Sequence, residues 1–272
     1  MAEKNSFLNR IVQSKRRKVE CKVSEDSSLH KIKEKAKKAP PPYDFYRALS
    51  KNRHLSLIAE IKRASPSKGA IKLDMDPAYQ ARSYQDLGAS AISVLTEEDY
   101  FHGSIEDLIK ARLACTIPIL RKDFIIHPYQ VYEARAFGAD AILLIAALLS
   151  EQDLLGLVKL GDELEMYSLV EVHSEEEIPR TIKSGTKIIG INNRDLSTFH
   201  VNIETTARLI PFIPKDRLVV SESGINGVEE AKRLCSLGIR SILVGEALVT
   251  SPDLGALMGQ LTRLPIINNE CQ

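Results

Sequence analysis

The stretch that decides the fold is residues 168–195, which read SLVEVHSEEEIPRTIKSGTKIIGINNRD. Two short apolar runs, Ser168–Val172 and Lys187–Ile191, flank a longer polar segment with helical spacing. Short β-branched runs that alternate with helical segments are typical of parallel strands covered by helices. This stretch therefore predicts a strand, a helix and a second parallel strand.

The same alternation continues over most of the chain after His54. It predicts eight strands: Ser56–Ile61, Ser90–Leu95, Pro118–Arg121, Ala141–Ala146, Ser168–Val172, Lys187–Ile191, Leu218–Ser221 and Ser241–Val244. Residues 55–262 number 208, and division by eight gives 26 residues for each strand, helix and pair of loops. Eight such units predict an α/β fold that closes into a (β/α)8, or TIM, barrel.

A weak internal repeat supports this count. Gly88, Gly138, Gly185 and Gly238 each stand shortly before a predicted strand, at successive intervals of 50, 47 and 53 residues. Glycine readily takes the left-handed conformation that ends a helix and turns the chain back toward the sheet. We therefore expect these four glycines at helix ends.

The first 54 residues differ from the rest in charge. They carry 15 Lys and Arg against 6 Asp and Glu, whereas residues 55–272 carry 22 against 30. Residues 6–20 have helical spacing of apolar side chains, and the Ala39–Pro42 run breaks any helix before residues 44–49. We predict an N-terminal helical extension, residues 1–54, packed on a catalytic barrel of residues 55–272, within a single domain overall. A basic arm could instead bind nucleic acid or anionic lipid, but this one lacks a recognised motif or interleaved aromatics.

Composition excludes several classes of protein. With 272 residues, 44% hydrophobic and 27% charged, the chain can bury a large core and is not of the disordered type. No apolar run approaches the roughly 20 residues of a membrane span, and the N-terminus is too polar for a secretory signal, so we expect a cytoplasmic protein. The four cysteines form no Cys-x-x-Cys pair and the six histidines no metal-binding spacing, so we expect no metal site and no disulfide.

Charged residues cluster at the predicted carboxyl ends of the strands, where barrels of this kind carry their active sites. Glu60 and Lys62 are two residues apart, and side chains on a strand alternate with period two, so both should point into the barrel mouth. The same reasoning gives a mouth that contains Glu60, Lys62, Lys122, Glu171, Asn192, Arg194 and Glu222. A single charge at a strand end is more often a surface ion pair. Three cations and three carboxylates together are costly to bury unless pairing or a charged ligand offsets them.

Two glycine-containing segments predict a phosphate site. Ser221–Ile225 follows the seventh strand and Val244–Ala247 follows the eighth, the two loops that commonly hold phosphate in these barrels. Either glycine alone could be a simple turn residue, but their position on adjacent final strands favours phosphate binding. The polar loop Arg63–Gly69 could close over a ligand.

Together these segments resemble the indole-3-glycerol-phosphate synthase family of tryptophan biosynthesis. The matching motifs are Ile58–Gly69, Ile92–Glu97, Leu120–Ile125, Leu169–His173, Ile189–Leu196, Ser221–Ile225 and Val244–Leu248. The resemblance extends from about residue 5 to about residue 262. The first, third and fifth motifs are highly specific, and the last two are shared with other phosphate-binding barrels. It implies a carboxy-lyase that converts 1-(2-carboxyphenylamino)-1-deoxyribulose 5-phosphate into indole-3-glycerol phosphate, carbon dioxide and water, without metal or organic cofactor.

The resemblance also implies a role for each residue of the site. It makes Lys122 the general acid and Glu171 the general base, with Glu60, Lys62 and Glu222 completing the catalytic group. It assigns substrate binding to Ser65, Phe124, Asn192 and Arg194, and phosphate binding to Ser223, Gly224, Gly245 and Glu246. Nearby cations and partial burial are expected to lower the pKa of Lys122 toward the working pH. Because Lys122 and Glu171 belong to separate strands, we expect them on different sides of the mouth.

The partner implied is a phosphorylated small molecule, with no nucleic acid and no membrane. We expect a monomer or weak homodimer, and a stand-alone enzyme in place of the longer fusion with a second pathway barrel. Two alternatives stay open. One is a phosphoribosyl-type isomerase on a similar barrel, and the other is a non-catalytic protein that binds phosphate or nucleic acid.

Overall fold

A closed parallel barrel of eight strands forms the body of the protein in the computed structural model, which describes residues 7–24, 28–51, 53–196 and 198–266, with side chains from residue 10 onward. The barrel strands β1 to β8 are Ser56–Ile61, Ala91–Leu95, Ile119–Lys122, Ala141–Ile145, Tyr167–Val172, Ile188–Asn192, Leu218–Glu222 and Ser241–Val244. Each strand pairs in parallel with the next along the chain, and β8 closes on β1 through Ser241 opposite Ser56. The predicted (β/α)8 barrel is confirmed.

Three strands end one residue later than predicted. Lys122, Asn192 and Glu222 are the last residues of β3, β6 and β7, whereas the sequence placed Asn192 and Glu222 after their strands. Asn192 pairs with Glu222 in the ladder between β6 and β7, and Lys122 pairs with Leu95 of β2. Pairing with a neighbouring strand therefore extends these strands through polar residues whose own strand propensity is low.

Helices cover the outside of the barrel. They are α4 Pro77–Asp86, α5 Ile105–Ala114, α6 Pro128–Ala136, α7 Glu151–Glu163, α8 Ile178–Lys183, α9 Glu204–Leu209, α10 Val228–Ser236 and α12 Leu254–Leu261, with the short α11 Glu246–Val249 directly after β8. The four repeated glycines have φ between 84° and 91° just after helices, as predicted. One apolar cluster fills the space between strands and helices, and another fills the barrel interior.

The N-terminal extension contains three helices, α1 Phe7–Ser24, α2 Ser28–Lys38 and α3 Phe45–Ser50. The predicted helix of residues 6–20 is α1, which continues to residue 24, while Ser6 lies outside the described residues. Helix α2 was not predicted, because its lysine-rich sequence has too few apolar residues to show a clear helical pattern. It buries only Ile32 and Ala36, and it packs against α6. Helix α3, capped by Asp44, inserts Phe45 and Leu49 into the interior cluster beside the first residues of β1 and β8.

Buried ion pairs connect the extension to the strand that carries Lys122. Lys15 Nζ on α1 is 2.8 Å from Oδ1 of Asp123, the residue after Lys122. The other carboxylate oxygen of Asp123 is 3.0 Å from Arg121 Nη2, which also reaches Glu133 Oε2 at 2.8 Å. Burial alone would raise the pKa of Asp123, but Lys15 and Arg121 outweigh it and hold that pKa well below its usual range. Helix α1 and the end of β3 are therefore held together by charge.

Among the described residues, we find no helix with the length and apolar character needed to span a bilayer.

Replacing Lys15 with Met should lower the free energy of unfolding at pH 7 by about 1–3 kcal/mol, because a buried carboxylate loses one of its donors but keeps Arg121 and Thr96. Since folding lowers the pKa of Asp123, its ion pair stabilises the fold above the ordinary aspartate pKa, and the difference between variant and unaltered protein should shrink as pH falls below about 4. Urea unfolding over this pH range measures both effects.

Lys18→Met on the same helix is the matched control. Lys18 forms ion pairs with Glu98 and Asp99 whose side chains are half exposed, so its loss should cost only about 0–1 kcal/mol. Equal losses of unfolding free energy in the two variants would show that the buried Lys15–Asp123 ion pair does not stabilise the packing of the extension on the barrel.

Candidate active site

A cavity of about 480 Å3 opens at the carboxyl ends of the strands. Its lining contains all thirteen residues that the sequence singled out, from Glu60 on β1 to Glu246 after β8. Parallel strands end at the same rim, which is why residues up to 186 positions apart meet here. The volume suits a small-molecule ligand.

Lys122 lies at the centre of the charged groups in this cavity. Its Nζ is 3.3 Å from Glu171 Oε2 and 3.1 Å from Glu222 Oε2. The expectation that Lys122 and Glu171 lie on different sides of the mouth is therefore wrong, because the lysine side chain is long enough to reach both carboxylates. An ammonium group has three N–H donors, so one can still face a ligand in the cavity.

These contacts determine the charge states of the three groups. Burial would lower the pKa of Lys122, but Glu222, Glu171 and Glu60 outweigh it and raise that pKa above its usual value. The expected lowering by nearby cations is therefore wrong, since the groups that face Lys122 are mainly anions. Burial and the carboxylates of Glu171 and Glu60 raise the pKa of Glu222 to about 7, although Lys122 opposes them. Burial would also raise the pKa of Glu171, but Lys122, His173 and Asn192 outweigh it and hold that pKa below its usual value.

Glu60 and Lys62 form a second ion pair at the end of β1. Lys62 Nζ is 2.9 Å from Glu60 Oε2, and both side chains point into the cavity as the period of two predicts. Two glycines make room for the carboxylates. A Cβ on Gly245 would lie 2.2 Å from Glu60 Oε2, and one on Gly190 of β6 would lie 2.3 Å from Glu222 Oε1. A side chain at either position would displace a carboxylate of the cluster.

The opposite wall combines polar residues with apolar ones. Asn192 Oδ1 accepts a hydrogen bond from the backbone N–H of Arg194 at 3.0 Å, and Arg194 Nη1 donates to Phe199 O at 3.2 Å. The same guanidinium donates to Ser67 Oγ at 3.3 Å, across the cavity. Ser67 belongs to the loop after β1, whose two-stranded hairpin, Ala64–Ser65 paired with Gly69–Ala70, borders the opening. Apolar side chains complete the lining: Leu95, Phe101, Phe124, Leu143, Ile145, Leu196 and Phe199.

The loops after β7 and β8 supply a polar cradle. Ser223 and Gly224 both have positive φ, 66° and 76°, and a Cβ on Gly224 would lie 2.5 Å from Val201. Asn193, which is buried, donates to the carbonyl of Ser223 at 3.0 Å and holds this turn in place. Gly245 precedes α11, whose first backbone N–H groups have no carbonyl partner one turn earlier in the helix. Lys68 Nζ lies 3.4 Å from Glu246 Oε1 and offsets its charge.

Sequence reasoning missed four residues that shape this site. They are Gly190, Asn193, Lys68 and His173. Lys68 stands in the motif Ile58–Gly69, and Gly190 and Asn193 stand in the motif Ile189–Leu196. Nothing in their spacing shows which carboxylate or loop each one contacts. His173 also ends a motif and directly follows β5, and the spacing of two residues from Glu171 could have indicated that their side chains lie close together.

In the part of the chain that the structure describes, no group of three or more His, Cys, Asp and Glu side chains is placed to hold a metal ion.

The barrel and its charged mouth define the class of (β/α)8 enzymes whose site lies at the carboxyl ends of the strands. Comparison with known families identifies the member. Residues 8–261 match the family model described as indole-3-glycerol phosphate synthase, and the chain belongs to this family, whose members are carboxy-lyases. Membership decides against both alternatives that the sequence left open.

Curated relatives agree. The chain is 46% identical to the indole-3-glycerol phosphate synthase of Roseiflexus sp. (strain RS-1) over 94% of this chain and 98% of that protein. It is 51% identical to the enzyme of that name from Acetivibrio thermocellus over 78% of this chain and 82% of the relative. Among solved structures, thiamine phosphate pyrophosphorylase from Pyrococcus furiosus aligns with a TM-score of 0.57 at 17% identity, over 77% of this chain and 94% of that one, which shows the fold alone.

Gly190→Ala should lower kcat by about 10- to 100-fold, because the new methyl group displaces Glu222 from Lys122 and small misplacements of catalytic groups are costly. Stability should change little, since the clashing atom is the end of a side chain. Gly156→Ala on α7 is the matched control, because a Cβ there meets nothing within 4 Å. It should keep kcat and gain up to about 1 kcal/mol of stability. Equal kcat values for the two variants would contradict the role given to Gly190.

Proposed function

We propose that this chain forms the indole ring of indole-3-glycerol phosphate by ring closure, decarboxylation and dehydration of 1-(2-carboxyphenylamino)-1-deoxyribulose 5-phosphate. Beyond family membership, the observation that carries the proposal is the position of Lys122 Nζ between Glu171 and Glu222 in the cavity at the carboxyl ends of the strands. The reaction needs a proton donor at a ketone oxygen and later a proton acceptor, and this cluster offers both.

Lys122 is the proposed general acid. Its raised pKa keeps the ammonium form fully populated, so Lys122 is protonated when substrate binds. As the aromatic carbon attacks the ketone, charge develops on the oxygen, and a proton from Nζ converts that oxygen to a hydroxyl. Transfer leaves Lys122 neutral and ends its attraction to both carboxylates.

Glu171 is the proposed general base for the later dehydration. Its lowered pKa keeps the carboxylate ionised, and it stands within reach of the same reacting centre as Lys122. Glu222, with a pKa of about 7, can hold or release a proton near neutrality, and we assign it with Glu60 and Lys62 to the catalytic group. Lys62, paired to Glu60 at 2.9 Å, is the second cation that can assist departure of the hydroxyl.

The remaining lining residues divide between the two ends of the substrate. We assign Asn192 and Arg194 to the anthranilate carboxylate, with Phe124 against the aromatic ring and Ser65 beside the ligand. The phosphate is assigned to Ser223, Gly224, Gly245 and Glu246, the last two through backbone N–H groups. Support comes from the cradle after β7 and β8 and from the short helix α11, an arrangement that suits an anion.

We further propose that the extension and barrel act as one domain that binds no nucleic acid and is a monomer or weak homodimer. Much of the basic charge of α1 is already paired within the chain. Lys15 contacts Asp123, Lys18 contacts Glu98 and Asp99, and Lys22 contacts Glu133. These pairings reduce the positive field available to a phosphate backbone.

Turnover of the synthetic substrate tests the proposal, and two variants test the division of roles. The chain has no tryptophan, so indole fluorescence reports product over a tyrosine background. Lys122→Met should lower kcat by about 10²–10⁴-fold and block carbon dioxide release, because the donor for ring closure is lost. Glu171→Gln should release carbon dioxide in a single turnover but form indole slowly, because only the later base is lost.

A chelator should leave turnover by the unaltered protein unchanged. Recovery of intact substrate after long incubation with folded protein would refute the proposed activity. Equal loss of carbon dioxide release in Lys122→Met and Glu171→Gln would instead leave the activity standing and overturn the separation of acid and base.

Ser223→Ala should raise KM about 10- to 100-fold with little change in kcat, because one hydrogen bond to a charged group is lost and phosphate is held alike in ground and transition states. Both residues carry a Cβ, so the positive φ at this position costs the same in each. Ser236→Ala on the exposed face of α10 is the control and should leave both constants unchanged. A collapse of kcat at constant KM would contradict the assignment of Ser223 to phosphate.

A further inference from the structure

His173 lies directly behind Glu171 and outside the cavity lining. It is the first residue after β5, and its side chain is 14% exposed. Its Nε2 is 3.2 Å from Glu171 Oε1, while the other oxygen of that carboxylate is 3.3 Å from Lys122 Nζ. Glu171 is therefore held between two cationic groups, one that faces the substrate and one that does not.

A second carboxylate lies on the far side of the imidazole. His173 Nδ1 is 3.8 Å from Glu177 Oε2, and that same oxygen accepts the backbone N–H of His173 at 2.8 Å. Glu177 is placed by the short 3₁₀ turn Glu175–Glu177 that follows β5. Burial would lower the pKa of His173, but the two carboxylates outweigh it and raise that pKa to about 10. From the cavity outward, Lys122, Glu171, His173 and Glu177 thus alternate in charge.

We propose that His173 is a positioning residue for Glu171, whose imidazolium keeps that carboxylate ionised and oriented after Lys122 has given up its proton. The proposal rests on the proposed function, because it concerns the interval between the acid step and the base step. The first step breaks an N–H bond of Lys122 and forms an O–H bond on the substrate, so Nζ becomes a neutral amine. The ion pair that had stabilised Glu171 from the cavity side is then lost.

The other groups around Glu171 cannot replace that charge. Glu222, Glu60 and Asn192 cannot carry a positive charge, and Lys62 is paired with Glu60. On α8, Arg180 donates to the carbonyl of Leu149. Like charges raise the pKa of a carboxyl group, so Glu171 without His173 would tend to take up a proton before dehydration. Glu177 in turn stabilises the imidazolium and keeps its proton on His173.

His173→Gln tests the charge, because glutamine retains an N–H donor but no positive charge. An opposite charge within about 4–6 Å lowers a carboxyl pKa by about 1–3 units, so the acid limb of the kcat profile for indole formation should move upward by about 1–3 pH units. At pH values above the new limb, kcat should recover toward that of the unaltered protein. Single-turnover carbon dioxide release should be retained, because the acid step does not use Glu171 as base.

His127→Gln is the matched control, since His127 caps α6 and lies outside the cavity lining. It should leave the acid limb in place. A fall in kcat of equal size at every pH in His173→Gln, or an unchanged profile, would overturn the proposal and indicate a packing role or none. Two further results separate the two failures, because normal indole formation by Glu171→Gln would refute the base role of Glu171, whereas no indole formation by the unaltered protein would refute the proposed function itself.

A measurement on the unaltered protein covers the case in which His173→Gln does not fold. In protein with 15N-labelled histidine, the ring-nitrogen signals of His173 should remain those of an imidazolium at pH 7 and above. A neutral imidazole at pH 7 would overturn the proposal whatever the variants do.

Discussion

The active site depends on one constraint, the burial of three carboxylates around one ammonium group. Glu60, Glu171 and Glu222 are 4%, 1% and 1% exposed, and their charges converge on Lys122 at the centre of the mouth. Moving an anion from water into the protein interior costs several kcal/mol unless cations and hydrogen bonds compensate. The fold therefore supplies Lys122 and Lys62 inside the cavity and His173 behind it. The same surroundings lower the pKa of Glu171 and raise that of Glu222 to about 7, so the two groups differ in charge state as acid–base chemistry requires.

Barrel geometry makes this arrangement possible. Strands that end at one rim bring charges together from β1, β3, β5 and β7. The carboxylates fit there because the residues beside two of them are glycines, which have no side chain. Gly190 and Gly245 leave that space, since a Cβ at either would lie within 2.3 Å of a carboxylate oxygen. Close packing of the charged groups is thus built into the backbone and not only into the side chains that carry charge.

The N-terminal extension contributes to the same electrostatic arrangement. Lys15 and Arg121 neutralise Asp123, the residue next to Lys122, while Glu133 links Arg121 to Lys22 farther along α1. Without those cations, Asp123 would be an uncompensated anion beside the three carboxylates of the cluster. The strong positive charge of residues 1–54 is therefore explained in part by acidic partners on the barrel, where the sequence alone had also allowed nucleic acid.

The sequence by itself determined the barrel, the end of the barrel that bears the site and thirteen of the residues that line its cavity. Period-two alternation and the spacing of apolar runs are local properties, and they persist whatever the tertiary contacts. It could not give the distances between Lys122 and its carboxylates, and for that reason the predicted direction of the Lys122 pKa was wrong. The sequence also did not predict α2, whose narrow apolar stripe is buried against α1 and α6. Nor did it show which carboxylates Gly190 and His173 approach. Those properties depend on which side chains meet across the barrel, and only the closed tertiary structure decides that.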